Sequence, residues 1–264
     1  MSLRLPREIG RVNWLGLQTH IGKEIHRFFK VGLQTLIAPM VTSLMFLAIF
    51  SLALGRAVQV IGGVPFIEFL APGLIMMAVI QNAYNNTVSS VMVSKIQGNI
   101  VDVLMPPLSP AEFVLGFVAG GAVRGVLVAV CVGVAMWMFV PMRIHDPIFV
   151  IIYAVLAAGL LSMVGLVTGI WAEKFDHQAA ISNFIITPLS FLSGTFYSIE
   201  RLPAPWDGLA MVNPFFYMID GFRYGFIGHH DAPLYIGLLY LLGLNILVWA
   251  LCYRLVARGY KLKS

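Results

Sequence analysis

The sequence predicts an all-α membrane protein that crosses the bilayer six times, and three observations carry this prediction. Hydrophobic residues make up 59% of the chain and charged residues only 11%, whereas soluble domains carry about 25% charged residues. Several runs without Asp, Glu, Lys or Arg reach 22 to 26 residues, and a spanning helix needs roughly 20. None of these runs alternates as a barrel strand does. Within a single domain, 1–264, the predicted spans are 31–55, 69–94, 113–141, 147–172, 178–199 and 232–253.

The segment before the first span, 1–30, is predicted to form an amphipathic helix in the membrane interface. Apolar side chains recur there at steps of three and four, on one helical face. Basic residues lie mainly elsewhere on the helix, a pattern typical of helices that rest in the headgroup layer. Two interpretations stay open: a membrane anchor alone, or an anchor whose polar face also contacts a cytoplasmic partner. The apolar face consists of Trp14, Leu17, Ile21, Ile25 and Phe28.

Basic residues are distributed unevenly between the two sides of the membrane. With a cytoplasmic N-terminus and six spans, 12 Lys and Arg residues lie inside and 4 lie outside. The positive-inside rule therefore places both termini in the cytoplasm. The net charge of +5 reflects this bias and does not indicate nucleic-acid binding.

The chain lacks the motifs of an energised or catalytic protein. Gly22–Lys23 is followed by Glu24 and has no earlier glycine at the spacing of a phosphate loop. Neither GxSxG nor HExxH occurs. Any ATP hydrolysis is therefore expected on another polypeptide.

Three residues inside the apolar runs have candidate roles. Cys131 and Cys252 have neither CxxC spacing nor a nearby His, so we interpret them as packing residues. Arg124 is the one ionisable residue clearly inside a span. It either extends to the inner headgroups or pairs with a neighbour.

The loop between the second and third spans is predicted to contain a short, partly polar helix over 91–107. Apolar residues recur at near-helical spacing, with Lys95 and Asp102 among the polar members. Pro106–Pro107 ends this helix, because proline lacks an amide N–H and its predecessor avoids the helical region. A rigid element on the cytoplasmic side suits docking into an external motor, which a flexible loop would not.

The segment 194–231, before the last span, is predicted to form an extracytoplasmic re-entrant hairpin. It is too polar to cross twice, yet dense in aromatic residues, which favour the interface. Non-helical backbone at membrane depth persists only where protein covers it or it lines a cavity. A lid over a central path fits this requirement, and an inert aromatic belt is the alternative. The candidate gate residues are Phe196, Tyr197, Phe215, Phe216 and Tyr217.

Several stretches together resemble the type-2 ABC exporter permeases. "GNIVDVLMPPLSPAEFVLG" is similar to the coupling helix and following turn of that family, and "KEIHRFFKVGLQTLIAPMV" to its connecting helix and first span. "FLAPGLIMMAVIQNAYNN" resembles the second span. The region from "GIWAEKFDHQ" to "NPFFYMIDGFRYGFIG" resembles the fifth span and the re-entrant hairpin. The resemblance covers nearly the whole chain.

This resemblance implies a homodimer in the bacterial inner membrane, surrounded by lipids, with two cytoplasmic ABC ATPase subunits below it. ATP and Mg would bind to those partners, and this chain would bind neither a cofactor nor a metal nor nucleic acid. The acidic and basic residues of "WAEKFDHQ" are candidate second contacts, with a solvated loop as the alternative. The implied coupling residues are Gln97, Gly98, Asn99, Ile100, Asp102, Leu104, Lys23, Glu24, Arg27, Glu173, Lys174 and Asp176.

Three functions remain open at the level of sequence. The leading hypothesis is the membrane subunit of a multidrug-type exporter for amphipathic, drug-like or lipid- or glycan-linked molecules. The second is a membrane-embedded lipid-processing enzyme, for which His229, His230 and Asp231 are the one candidate set. The third is a scaffold that binds a cytoplasmic protein without transport. A neighbouring ABC ATPase gene would favour the first.

The orientation prediction is tested by reporter fusions. Alkaline phosphatase fused after Ser264 should stay inactive, because this enzyme folds only outside the cytoplasm, and green fluorescent protein at the same place should fluoresce. Phosphatase inserted after Arg143, in a predicted outer loop, serves as the active control. High phosphatase activity at Ser264 would contradict the assignment.

Overall fold

The computed structural model describes residues 10–55, 58–199, 202–203 and 205–262, and these residues are mostly helical. The all-α prediction is confirmed at this level. Residues 1–9 and 263–264, and the Arg56 and Arg201 of the charge count, lie outside the described residues. The helices are α1 Trp14–Phe29, α2 Gly32–Leu54, α3 Phe66–Ile96, α4 Ile100–Leu104, α5 Pro110–Trp137, α6 Pro147–Trp171, α7 Phe175–Ile181, α8 Thr187–Phe191, α9 Trp206–Val212, α10 Pro214–Ile227 and α11 Leu234–Ala257.

Among the described residues, five helices are long and apolar enough to cross a membrane: α2, α3, α5, α6 and α11. The fifth predicted span, 178–199, contains three consecutive helical segments instead of one regular α-helix: the end of α7, a π-helical segment at Ser182–Ile186, and α8. Pro188 lies in the first turn of α8, and its missing amide N–H interrupts regular helical hydrogen bonding. The six-span count therefore stays a prediction.

The connection between α2 and α3 is a tight hairpin. Strands β1 Val60–Ile61 and β2 Val64–Pro65 pair antiparallel, with Ile61 opposite Val64. Gly62 and Gly63 between them have φ angles of +58° and +80°. A two-residue hairpin loop of this type needs positive φ at both central positions, which glycine adopts without strain.

Helix α3 is the centre of the bundle and packs against α5, α6 and α10. Close packing with α6 depends on two glycines of α6. A Cβ atom at Gly165 would lie 2.6 Å from the carbonyl oxygen of Tyr84, and one at Gly169 would lie 2.8 Å from the Cβ of Val91. Helices in lipid associate by such close van der Waals contact, because lipid supplies no hydrophobic force between them.

Helix α1 packs against α5 in a similar way. A Cβ atom at Gly116 would overlap the His20 ring, and one at Gly120 would lie 2.5 Å from the Cβ of Glu24. Burial lowers the pKa of His20, and its ring packs against Phe117 with centroids 4.6 Å apart.

The apolar face predicted for α1 therefore differs from the buried one. The buried residues of α1 are Leu17, His20, Glu24 and Phe28, whereas Trp14 is 66% exposed. The physical reason is that the two glycines of α5 admit the side chains of His20 and Glu24, which the predicted apolar face does not include.

We expect Gly116→Val to destabilise the protein, because the added side chain collides with His20 in a packed interface. Overpacking costs roughly 1–3 kcal/mol, which should lower the thermal midpoint in detergent. Gly243→Val, on α11, is the matched control, since a Cβ there meets nothing within 4 Å. Equal midpoints for both variants would show that α1 is not seated on α5.

Candidate functional site

The segment predicted as one helix over 91–107 is divided in the structure. Residues 91–96 complete α3, a turn follows, and α4 covers Ile100–Leu104. Gly98 in this turn has a φ angle of +76°, a conformation that glycine adopts far more readily than other residues. The reversal at Gly98 separates α4 from the axis of α3.

Helix α4 packs one face against the rest of the protein and leaves the other face exposed. Ile100 and Val103 are buried and anchor the helix. Gln97, Gly98, Asn99 and Asp102 are exposed, and Leu104 is half-buried. Four of the six residues proposed for coupling on this segment thus lie on an open surface, while Ile100 faces inward.

The turn after α4 is fixed by a capping box. The Ser109 amide donates to Glu112 Oε2 at 2.6 Å, and the Glu112 amide donates to Ser109 Oγ at 3.3 Å. Pro110 occupies the first helical position of α5, where its missing N–H is harmless. The pattern Ser-Pro-Ala-Glu before an apolar run is a recognisable sequence signal for such a box, and sequence analysis did not use it.

The same turn is bonded to the start of α1. The second oxygen of Glu112 accepts the Asn13 backbone N–H, and Asn13 Nδ2 donates to the Pro107 carbonyl at 3.2 Å. Asn13 also caps α1, since its Oδ1 accepts the Gly16 amide at 3.0 Å. Glu112 and Asn13 therefore hold the starts of α1 and α5 and the proline turn in one hydrogen-bonded unit.

A cleft of about 770 Å³ lies between the first turns of α1 and α4. Its charged lining residues are Arg11, Lys23 and Asp102, and all three are exposed. The cleft thus offers both signs of charge to a partner.

Of the three α1 residues in the coupling set, only Lys23 is exposed. Glu24 is 1% exposed and accepts from Ser90 Oγ at 2.9 Å and from Arg27 Nε at 3.3 Å. Arg27 in turn donates to the Asn86 carbonyl and side-chain oxygens, both at 2.8 Å. Glu24 and Arg27 therefore connect α1 to α3 inside the protein.

The loop after α6 is held at the same end of the bundle. Lys95 Nζ, near the end of α3, donates to the carbonyls of Ile170 and Ala172, both at 2.7 Å, which satisfies the C-terminal groups of α6. Glu173, Lys174 and Asp176 are exposed. The end of α3 thus sets the position of both α4 and this loop.

Glu173 also binds the C-terminal tail. Lys261 Nζ lies 2.6 Å from Glu173 Oε1, and this hydrogen bond holds the pKa of Glu173 below its usual range. Both side chains are solvated, so the pair is a weak contact that stays charged at neutral pH.

The five candidate gate residues do not form one cluster. The Phe196 ring packs against Phe50 of α2, with centroids 4.1 Å apart. Tyr217 instead contacts Phe216 and Tyr240, at 5.0 Å and 5.1 Å. Phe215 is buried within the main core. Phe196 therefore packs on α2, whereas Tyr217 packs on α11.

Helix α10 holds the chain at Gly194 and the loop before α11 through two buried charged residues. Arg223 is buried, donates to the Gly194 carbonyl at 2.7 Å and lies 3.7 Å above the ring centroid of Phe69. Asp220 accepts the Asp231 and Ala232 amides at 2.8 Å and 3.1 Å. Arg223 is one of the four basic residues that the predicted orientation places outside. The motif "IDGFR" already sets it one helical turn from Asp220 in the sequence.

The candidate set of the lipid-processing alternative does not converge. His229 Nε2 lies 3.0 Å from Asp231 Oδ1, but the other Asp231 oxygen accepts the Ile199 amide at 3.0 Å. The His230 ring packs against Tyr224 instead. Asp231 thus holds the backbone at Ile199, and this arrangement favours a structural role.

Comparison with known proteins identifies the family. The model of the ABC-2 type transporter family matches residues 16–227. The inner membrane transport permease YadH of Escherichia coli (strain K12) is 39% identical over 251 residues, which cover 95% of this chain and 98% of that protein. Nodulation protein J of Rhizobium leguminosarum bv. trifolii is 24% identical over 222 residues, 83% of each chain. The resemblance predicted from sequence is confirmed, and the chain belongs to the ABC-2 type transporter family as a membrane permease.

Proposed function

We propose that this permease is the membrane subunit of an ATP-driven exporter in the bacterial inner membrane. It moves an amphipathic, drug-like or lipid- or glycan-linked molecule outward, as a dimer with two separate ATPase subunits that bind ATP and Mg. The membrane location and the permease role follow from the family and from the apolar helices. The export direction, the substrate and the subunit composition are the proposal.

The observation that carries the proposal is the rigid mounting of α4. Asp102 of α4, with Gln97 and Asn99 of the turn before it, is exposed, while Ile100 and Val103 on the other face of α4 are buried. The turn behind it is held by the hydrogen bonds of Glu112 and Asn13. A surface held in this way moves together with α5. When an ATPase displaces α4, the displacement is therefore transmitted to a membrane helix and is not absorbed by a flexible loop.

Two further features support docking on this side. The cleft between α1 and α4 exposes Lys23 beside Asp102, which suits a partner surface of mixed charge. The loop with Glu173, Lys174 and Asp176 lies at the same end of the bundle, because Lys95 connects it to the end of α3. Contact of an ATPase with α4 and with this loop would engage α3, α5 and α6 together.

The outer aromatic residues are proposed to gate the path. Phe196 contacts α2, and Tyr217 contacts α11 through Tyr240. A shift of either helix would therefore displace the predicted hairpin 194–231.

Gly98→Trp is the sharpest test of docking. The φ angle of +76° and a large side chain both disturb the turn, so the ATPase that co-purifies with the tagged wild-type chain should be lost or uncoupled. Gly98→Asn is the matched control, because Asn tolerates positive φ and stays small. Co-purification and ATPase rate are measured for each. Normal values for Gly98→Trp would refute docking at α4.

Replacement of Pro106 and Pro107 by glycine should act differently, since it softens the turn and leaves the docking surface intact. We expect the ATPase still to co-purify, while its hydrolysis rate reverts to that of the ATPase alone. The measurement compares both rates in the same detergent. A doubly substituted chain that still alters hydrolysis as the wild type does would show that rigidity of this turn is not needed.

A further inference from the structure

A second pocket, of about 450 Å³, lies between α2 and α3 at the end of α2 that adjoins α1. We call it the arginine pocket, because Arg27 of α1 and Arg124 of α5 both reach it. No part of the docking surface described above explains this pocket.

The two guanidinium groups share one acceptor. Arg27 Nη2 donates to Asn86 Oδ1 at 2.8 Å, and Arg124 Nη1 donates to the same oxygen at 3.5 Å. Arg124 Nη2 also donates to Asn82 Oδ1 at 3.1 Å. Within the described part of the chain, the buried atoms Arg124 Nε and Asn86 Nδ2 have no hydrogen-bond partner. Two buried donors of this Arg27–Asn86–Arg124 cluster, next to the arginine pocket, therefore lack an acceptor.

The charges do not balance either. Glu24 pairs with Arg27, and among the described residues Arg124 makes no ion pair and bonds only neutral amide oxygens. An unpaired charge at membrane depth is expensive and marks an ion or substrate site. The pocket therefore has one positive charge, on Arg124, that no carboxylate of the described residues neutralises.

A second copy of the chain cannot supply the missing anion from its spanning helices. Helices α2, α3, α5, α6 and α11 contain two carboxylates, Glu68 and Glu112. Glu68 lies in the first turn of α3, roughly 27 Å along the helix from Asn86 at 1.5 Å per residue. Glu112 is bonded to Ser109 and Asn13. The spanning helices of a second copy therefore offer no free carboxylate to Arg124.

The lining shows what kind of molecule fits. Toward α1 the pocket is polar, with Gln34, Thr35 and Asn82 beside the arginines. Toward the β-hairpin end of α2 and α3 the lining passes Thr42 and Ser43 and ends at the apolar residues Phe46 and Leu74. A charged end and an apolar end in one pocket suit an amphiphile that has an anionic head and a hydrocarbon tail.

We propose that the arginine pocket binds the phosphate head of an anionic amphiphile, with the head at Arg27 and Arg124 and the tail beside Phe46 and Leu74. Guanidinium donors suit phosphate oxygens, and both groups reach this pocket. The ligand is either a phospholipid of the surrounding bilayer or the exported molecule itself. Only the second source rests on the proposed export function.

Binding is tested with the purified permease, together with any ATPase that co-purifies, using two probes that differ in the phosphate alone: dioleoyl phosphatidic acid and dioleoylglycerol. The wild type should prefer phosphatidic acid. Arg124→Gln should weaken that binding about tenfold, the loss expected for one charged hydrogen bond. Arg124→Lys should retain part of it. Arg258→Gln, which removes an exposed charge at the end of α11, is the control and should bind as the wild type does.

Asn82→Asp is a second variant that does not rely on deleting an arginine. It keeps the shape of the side chain and supplies Arg124 with a carboxylate. The thermal midpoint should rise, while phosphatidic acid binding should fall. Equal wild-type affinity for both probes, undiminished binding in Asn82→Asp, or an equal loss in Arg258→Gln would each overturn the proposal.

A second experiment separates the two sources. The complex is reconstituted in vesicles with short-chain fluorescent phosphatidic acid, and ATP-dependent movement between leaflets is measured. If phosphatidic acid binds and is moved between leaflets, and Arg124→Gln abolishes this movement, the pocket belongs to the exported molecule. Binding without movement assigns it to a bilayer lipid, and absence of ATP-dependent movement for every compound tested would count against export while the anion site stands.

Discussion

The structure depends on close contact between helices through glycine. Lipid supplies no hydrophobic force between apolar helices, so association rests on van der Waals packing at short range. Gly165 and Gly169 bring α6 onto the backbone of α3, and Gly116 and Gly120 seat α1 against α5. The contacts with α6 hold the second half of α3 in place, and the end of α3 positions both α4 and the loop after α6.

The packing of α1 on α5 also determines the partners of the polar residues of α1. Glu24 enters the protein at Gly120 and there meets Ser90 and Arg27. Since Glu24 is committed to Arg27, Arg124 has only amide oxygens to bond. The packing that anchors α1 therefore also creates the charge imbalance of the arginine pocket.

The two ends of the molecule use polar groups in the same manner. At the α4 end, Glu112 satisfies backbone amides from two segments. At the opposite end, Asp220 accepts an amide of the loop before α11, and Asp231 accepts the Ile199 amide. Buried carboxylates at both ends thus fix irregular backbone that otherwise lacks hydrogen-bond partners. Regular helices between them need no such support.

The sequence by itself determined the all-α membrane class, five of the spans, the family and the proline turn after α4, because hydropathy and proline act locally along the chain. Only the tertiary structure decided three points. It divided the predicted helix 91–107 at Gly98, turned Glu24 inward, and brought Arg27 and Arg124 to one asparagine. The division at Gly98 is a local conformation with positive φ, which hydrophobic periodicity does not detect. The other two points depend on contacts between residues far apart in sequence, and the glycines that permit α1 to pack on α5 have no side chain that a periodic pattern could reveal.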